Sequence, residues 1–245
     1  MARTYKTEAI VLRSMRFSEA DRILHLYTAG RGRIGAIAKG VRKTKSRFGA
    51  RLEPLSHVEL LLHEGSGELQ TITSVELLRS HHTVRESPYR LNAGLVGAEA
   101  MLRLFGEPEA NERAFTALAR FLDLLEETTP DDDGRHELDP LLLSFQLKLL
   151  WLAGYLPHLT SCVECGSTML EGYSARAGGA VCPEHAAGSL RLSADGLTAV
   201  EGLLSTPLAD AVGAPLADRA RRDALAIITS SYEEHGGFRL RTLSA

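Results

Sequence analysis

Cysteine is scarce, with three residues in 245. So few cysteines, none set out as a disulfide framework, point to the cytoplasm as the expected location. Long apolar runs are missing too. The most apolar stretch, Leu141 to Leu156, is interrupted by Ser144, Gln146 and Lys148, and it is shorter than the ~18 residues a membrane span requires. It reads as a buried core helix, with no membrane partner implied. At the N-terminus only Ala9-Ile10-Val11-Leu12 is continuously apolar before Arg13, too short for the core of a signal peptide. There is no Gly-x4-Gly-Lys-Ser/Thr loop for nucleotide phosphates, and no His-x-Glu ahead of a Pro-Cys-x-x-Cys such as zinc nucleobase deaminases carry. Repeats and low-complexity tracts are also missing. An apolar fraction of 44% is ordinary for a globular protein, and the length allows one large or two medium domains.

What cysteine there is falls in one stretch, Cys162-Val163-Glu164-Cys165, sixteen residues, then Cys182-Pro183-Glu184-His185. The spacing C-x2-C-x16-C-x2-H is that of a four-ligand zinc site. Each x2 pair wraps two donors around one side of a tetrahedral ion, and an intervening hairpin turning at Gly178-Gly179 brings the pairs together. Four filled positions favour a structural zinc over a catalytic one, which keeps a position for water. The competing reading, a redox C-x-x-C, belongs at a strand-to-helix junction, whereas Cys162 follows a long apolar helix.

Net charge is only −3, and this near-balance conceals an asymmetry. Residues 1–52 hold thirteen Lys or Arg against Glu8, Glu19 and Asp21, a net of +10. The other 193 residues hold 15 basic and 28 acidic side chains, a net of −13. The first part is a candidate for a polyanion.

The same region reads as strands: Thr7–Arg13, Ile23–Thr28, Gly32–Lys39, Leu55–His63 and Glu68–Leu77, with hairpin signals at Ala29–Gly32 and Glu64–Gly67. Five short strands with a longer connection between the third and fourth fit a barrel of the OB type, an SH3-like barrel being the alternative. After Pro88 the apolar period becomes helical over Leu91–Phe105, Asn111–Glu127 and a helix ending near Leu156. Further helices are expected from a Ser193 cap to about Leu204 and from Leu216 to about Glu234. The expected fold is therefore α+β and multidomain. It comprises a basic OB domain at 1–80 and a helical domain at 81–245, the latter interrupted by a zinc-binding segment at 158–190.

Basic residues gather in three loops of the expected barrel. Arg42, Lys43, Lys45 and Arg47 lie between strands three and four, flanked by Lys39 and Arg51. Arg31 and Arg33 lie at a hairpin, and Arg16 lies beside Phe17 in the first connection. On an OB barrel such loops border the oligonucleotide groove, where cations follow phosphates and aromatics stack on bases; Phe17, Tyr27 and Phe48 are the candidates, Tyr27 being equally suited to the core. About five neutralised phosphates on a single strand give a log–log salt slope near −3.5. No base-reading helix is apparent, so binding should be largely independent of sequence.

Glu8–Arg13, Glu19–Leu24, Tyr27-Thr28, Gly32, Ala38–Arg42, Ser46–Phe48 and Leu52–Pro54 resemble the N-terminal domain of the DNA repair protein RecO family. Phe145–Leu150, Gly154-Tyr155 and Cys162–Gly166 resemble that family's later helix and metal motif. The resemblance implies an OB domain followed by a helical domain with a zinc-binding insertion. It also implies binding of single- and double-stranded DNA, strand annealing, contact with the single-stranded DNA-binding protein, and work with RecR to place RecA on gaps, in association with the nucleoid. His185 stands where zinc-binding relatives commonly carry Cys, and His is a competent ligand. No nucleophile–base constellation emerges, so the chain is read as non-enzymatic. The alternatives are a metal-dependent nuclease or hydrolase using His81-His82 and Asp131–Asp133, or an RNA-binding barrel.

Overall fold

A computed structural model describes residues 3–43, 46, 48–130 and 134–243. The chain divides into two compact units, residues 1–87 with 105–126 and residues 88–104 with 127–245. No helix among the described residues is long and apolar enough to cross a membrane.

The first unit is built on five strands: β1 (Arg3–Arg16), β2 (Arg22–Thr28), β3 (Gly32–Ala38), β4 (His57–Glu64) and β5 (Gln70–Arg79). They pair in the order β1-β2-β3-β5-β4, and β4 returns to β1 to close the barrel. All neighbours are antiparallel except β3 and β5. This is the OB-type arrangement expected. Alternation explains the core: Val58, Leu60 and Leu62 of β4 point inward with Leu24 and Leu26 of β2 and Ile34, Ala36 and Ala38 of β3. Phe48 and Leu52, from the connection after β3, belong to the same core.

Two helices complete this unit. The short α1 (His82–Glu86) was not expected, and its first turn is set by His81, which adopts a left-handed φ of 45°. His81 Nδ1 lies 2.8 Å from the Leu55 carbonyl oxygen and Nε2 3.0 Å from Asp123 Oδ1. Asp123 sits on α3 (Glu112–Leu125), which is capped by the Asn111 side chain accepting from Ala114 N–H. The buried face of α3, Phe115, Leu118, Phe121, Leu122 and Leu125, repeats at helical intervals, and its Phe115 meets His57 edge-to-face at 5.5 Å. The sequence reading grouped this helix with the later ones; it lies in the barrel's unit.

In the second unit α4 (Pro140–Leu152) packs against α2 (Pro88–Leu104), α5 (Ala194–Ser205) and α6 (Asp218–Gly236). Asp139 caps α4 and Pro140 opens it. Nearly every α4 side chain is buried; the Lys148 ammonium reaches the Leu204 and Thr206 carbonyls, and burial lowers its pKa. α4 stops four residues before Leu156. Gly154 adopts φ 89°, letting its N–H reach the Trp151 carbonyl and the Tyr155 N–H reach Leu150, a Schellman ending that only glycine enters without strain. Ser193 caps α5 as expected, accepting from Gly196 N–H at 3.0 Å. Between α4 and α5 lies a three-stranded sheet, β6 (Gly172–Ser174), β7 (Gly179–Val181) and β8 (Leu190–Arg191), ordered β7-β6-β8. The hairpin was anticipated; the third strand was not.

Candidate metal centre and nucleic-acid interface

The Cys162–Cys165 and Cys182–His185 pairs sit on two tight turns flanking the β6–β7 hairpin. In the first, Gly166 N–H returns to the Cys162 carbonyl at 2.8 Å with Gly166 at φ 77°, while Cys162 N–H reaches Ser167 O at 2.7 Å. In the second, His185 N–H returns to the Cys182 carbonyl at 3.0 Å. Val163 N–H bonds Ala180 O, tying the first turn to β7. All four ligand atoms of Cys162, Cys165, Cys182 and His185 consequently lie within 4.8 Å of one another.

Their edges suit a tetrahedral ion. Cys165 Sγ to Cys182 Sγ is 3.7 Å, Cys162 Sγ to His185 Nδ1 is 3.7 Å, and Cys182 Sγ to His185 Nδ1 is 3.2 Å. Metal–sulfur bonds of about 2.3 Å and metal–nitrogen bonds of about 2.0 Å require edges of about 3.8 and 3.6 Å. The electrostatics agree: burial raises the Cys162 thiol, but the backbone N–H groups of Cys182, Glu164 and Cys165 outweigh it and bring the pKa down to about 6. Hydrogen bonding to Cys182 raises His185. The donor set can hold a metal ion and is consistent with zinc.

The barrel presents the opposite arrangement. At one end of β2 and β3, Arg16 faces Arg22 and Arg22 faces Ala38 in register. There Asp21 accepts from Gly40 N–H at 2.7 Å, Arg42 N–H bonds Ala20 O, and the Arg42 guanidinium donates to Ser18 O at 3.1 Å. These bonds lock the first connection to the start of the third. Arg16, Lys39, Arg42 and Lys43 are thus gathered, all exposed, beside Phe17. Arg51 is exposed on the short 3-10 turn after Phe48. Lys45, Arg47 and Asp131–Asp133 lie outside the described residues.

Arg31 does not join this group. It lies at the other end of seven-residue strands, which span about 20 Å. Its guanidinium stacks 3.7 Å over Tyr5 and reaches Glu64 at 3.2 Å. Arg33 is nearby but half-buried on the outer sheet face. Among the described residues, Arg13, Arg16, Arg33, Lys39 and Lys43 stand in no ion pair, whereas Lys6, Arg22 and Arg31 are matched by Glu59, Glu53 and Glu64.

Two of the three aromatics proposed for stacking are core residues. Tyr27 is fully buried against Phe105, and burial pushes its hydroxyl up to about 12; Phe48 is sealed within the barrel core. Phe17 alone is open, at 59% exposure. Arg13 is the residue that pattern reading missed. Strict alternation from Ala9 and Val11 sends it inward, but the register shift between Val11 and Arg13 leaves Leu12 as an extra residue and sets Arg13 opposite His25 on the outer face.

Comparison with known proteins decides the family. The model named Recombination protein O N terminal matches residues 1–81, and Recombination protein O C terminal matches residues 85–244. The chain belongs to the RecO family. A DNA repair protein RecO of Rubrobacter xylanophilus is 44% identical over 182 residues, covering 73% of this chain and 70% of its own. The RecO of Bifidobacterium animalis subsp. lactis is 40% identical, covering 77% of each. That of Anaeromyxobacter sp. strain K is 34% identical over 242 residues, covering 96% of this chain and 92% of its own.

Proposed function

We propose that this RecO family member is a non-catalytic mediator of recombinational DNA repair. It binds single- and double-stranded DNA through its barrel without reading sequence, anneals complementary strands, and works with RecR and the single-stranded DNA-binding protein to place RecA on gaps at the nucleoid. The observation that carries the reading is the group of cations with no ion pair among the described residues at one end of an OB-type barrel, Arg16, Lys39, Arg42 and Lys43. Cations held apart by a folded scaffold and left without carboxylates attract an extended polyanion. Annealing needs the charge of two strands neutralised and requires no nucleotide hydrolysis. His81, a candidate for an enzymatic reading, is engaged by the Leu55 carbonyl and Asp123 inside the fold.

Zinc is the proposed occupant of the cysteine–histidine cluster, with a structural role. Cys162, Cys165, Cys182 and His185 would hold it, and four protein donors complete a tetrahedral shell. What the ion supplies is local folding free energy for a segment with few large apolar side chains.

The test is fluorescence anisotropy on a labelled single strand across salt, for wild type and for Arg16→Glu, Lys39→Glu, Arg42→Glu and Lys43→Glu combined. Loss of four single-strand phosphate contacts should flatten the log–log salt slope by about 3. Complementary strands mixed with wild type at low salt, without nucleotide, should anneal faster than alone. Equal binding by both proteins, or no acceleration, refutes the reading.

A further inference from the structure

The outer face of the barrel carries a feature that the loop cations do not account for. Arg13 of β1, His25 of β2 and Gly35 of β3 stand side by side in register, and Arg33 lies two positions along β3 from Gly35. Leu24 and Leu26 on either side of His25 point into the core, so its imidazole faces outward. The ring is half-buried, yet no protein hydrogen bond to it occurs among the described residues. Leu69, from the connection between β4 and β5, lies against Gly35, where a side-chain Cβ would come within 2.8 Å of it.

We infer that this row is a phosphate subsite in which His25 takes up a proton as DNA binds. The inference rests on the DNA-binding reading and adds to it a pH-sensitive contact away from the loops. The charged groups facing His25 are Arg13 from β1 and Arg33 from β3. Leu69 brings no charge, the Glu8 carboxylate further along β1 is turned to His57, and the backbone of Glu109 approaches the hairpin at Gly32. Partial burial, then Arg33 and Arg13, hold the imidazole below its ordinary pKa. The sign follows. In the free protein His25 stays neutral at pH values where an exposed histidine begins to charge. A phosphate between the two guanidiniums cancels their repulsion and adds negative charge, so the imidazolium becomes the favoured form. Affinity must then rise as pH falls through the interval between the free and bound values, by at most about tenfold per pH unit for one proton.

The experiment is anisotropy at pH 8 and pH 6 across salt on the full chain, for wild type, His25→Gln and Arg13→Gln, with thermal melts confirming that each folds. Wild type should bind about three- to tenfold tighter at pH 6, with a salt slope steeper by about 0.7 on a single strand. His25→Gln should match wild type at pH 8 and lose the gain at pH 6. Arg13→Gln should bind more weakly at both values with a shallower slope. Salt-dependent binding that is flat in pH, an equal gain in His25→Gln, or an unaltered Arg13→Gln overturns this inference while leaving the loop reading intact. No binding by wild type at either pH overturns both.

Discussion

Polar groups converge in one region of this molecule and are kept apart in another. In the cysteine–histidine knuckle of residues 162–185, the ligand atoms of three thiols and an imidazole are folded to within 4.8 Å of one another. On the barrel, the guanidinium and ammonium groups of Arg13, Arg16, Arg33, Lys39 and Lys43 are spread over loop ends and a sheet face, with no ion pair among the described residues. Convergence suits a compact partner, a single ion that pays for crowding four donors. Dispersal suits an extended partner, because only a chain of regularly spaced negative charges can discharge several separated cations at once. On the function proposed above, the knuckle's donors serve the fold, while the barrel's cations cost the fold some self-repulsion that a bound polyanion would relieve.

Removing one converging donor should have the largest effect. Cys162→Ser is expected to abolish stoichiometric metal binding, since apparent binding free energies at such sites run to about 10–16 kcal/mol. Hydrogen exchange should show lost protection across residues 158–191 and unchanged protection in β1 to β5. A variant that retained both metal and protection would break the contrast at its root.

The two phenylalanines flanking the basic loops sharpen it next. Phe48 is a core side chain at 1% exposure, and Phe48→Ala should destabilise the barrel by about 3–5 kcal/mol in urea unfolding. Phe17→Ala should leave stability within about 0.5 kcal/mol. Its cost should appear in DNA affinity, about 1–3 kcal/mol if the ring stacks on a base. Destabilisation by Phe17→Ala with unchanged affinity would transfer Phe17 to the structural class.

How much of this was legible beforehand depended on how far each feature reaches along the chain. The cysteine–histidine cluster was legible because a C-x2-C or C-x2-H turn is fixed by four consecutive residues. All five strands and both hairpins were legible because period-two alternation and Gly-rich turns are local. Arg13 was not, because one extra residue at Leu12 inverts the alternation, and only pairing with β2 reveals it. Tyr27 was ambiguous for a related reason. It points outward from the barrel, opposite Arg33, and is buried there with Phe105, nearly eighty residues on, packed edge-on against its ring. The end of α4 was readable in principle from Gly154, but the apolar Tyr155 and Leu156 extend the helical pattern past the stop.

That stop yields a smaller test. Gly154→Ala places a Cβ on a left-handed residue and should cost about 1–2 kcal/mol. The loss should appear in thermal unfolding of the helical unit, with metal content and DNA affinity unchanged. A fall in DNA affinity would mean that the barrel's function depends on the helical unit's stability.

The smallest expected effect probes the barrel's cations individually. Arg31 and Arg16 carry the same charge, yet Arg31 is matched by Glu64 and stacked on Tyr5, whereas Arg16 is exposed with no ion pair among the described residues. A phosphate recruiting Arg31 must first displace a carboxylate, so its net gain is small; Arg16 has nothing to surrender. Arg31→Gln should therefore lower stability by about 1 kcal/mol or less and barely alter the salt slope of binding. Arg16→Gln should leave stability unchanged and flatten the single-strand slope by about 0.7. Equal slopes for the two variants would mean that total charge alone governs binding; unequal slopes would mean that the ion pairs built into the barrel select which cations reach the DNA.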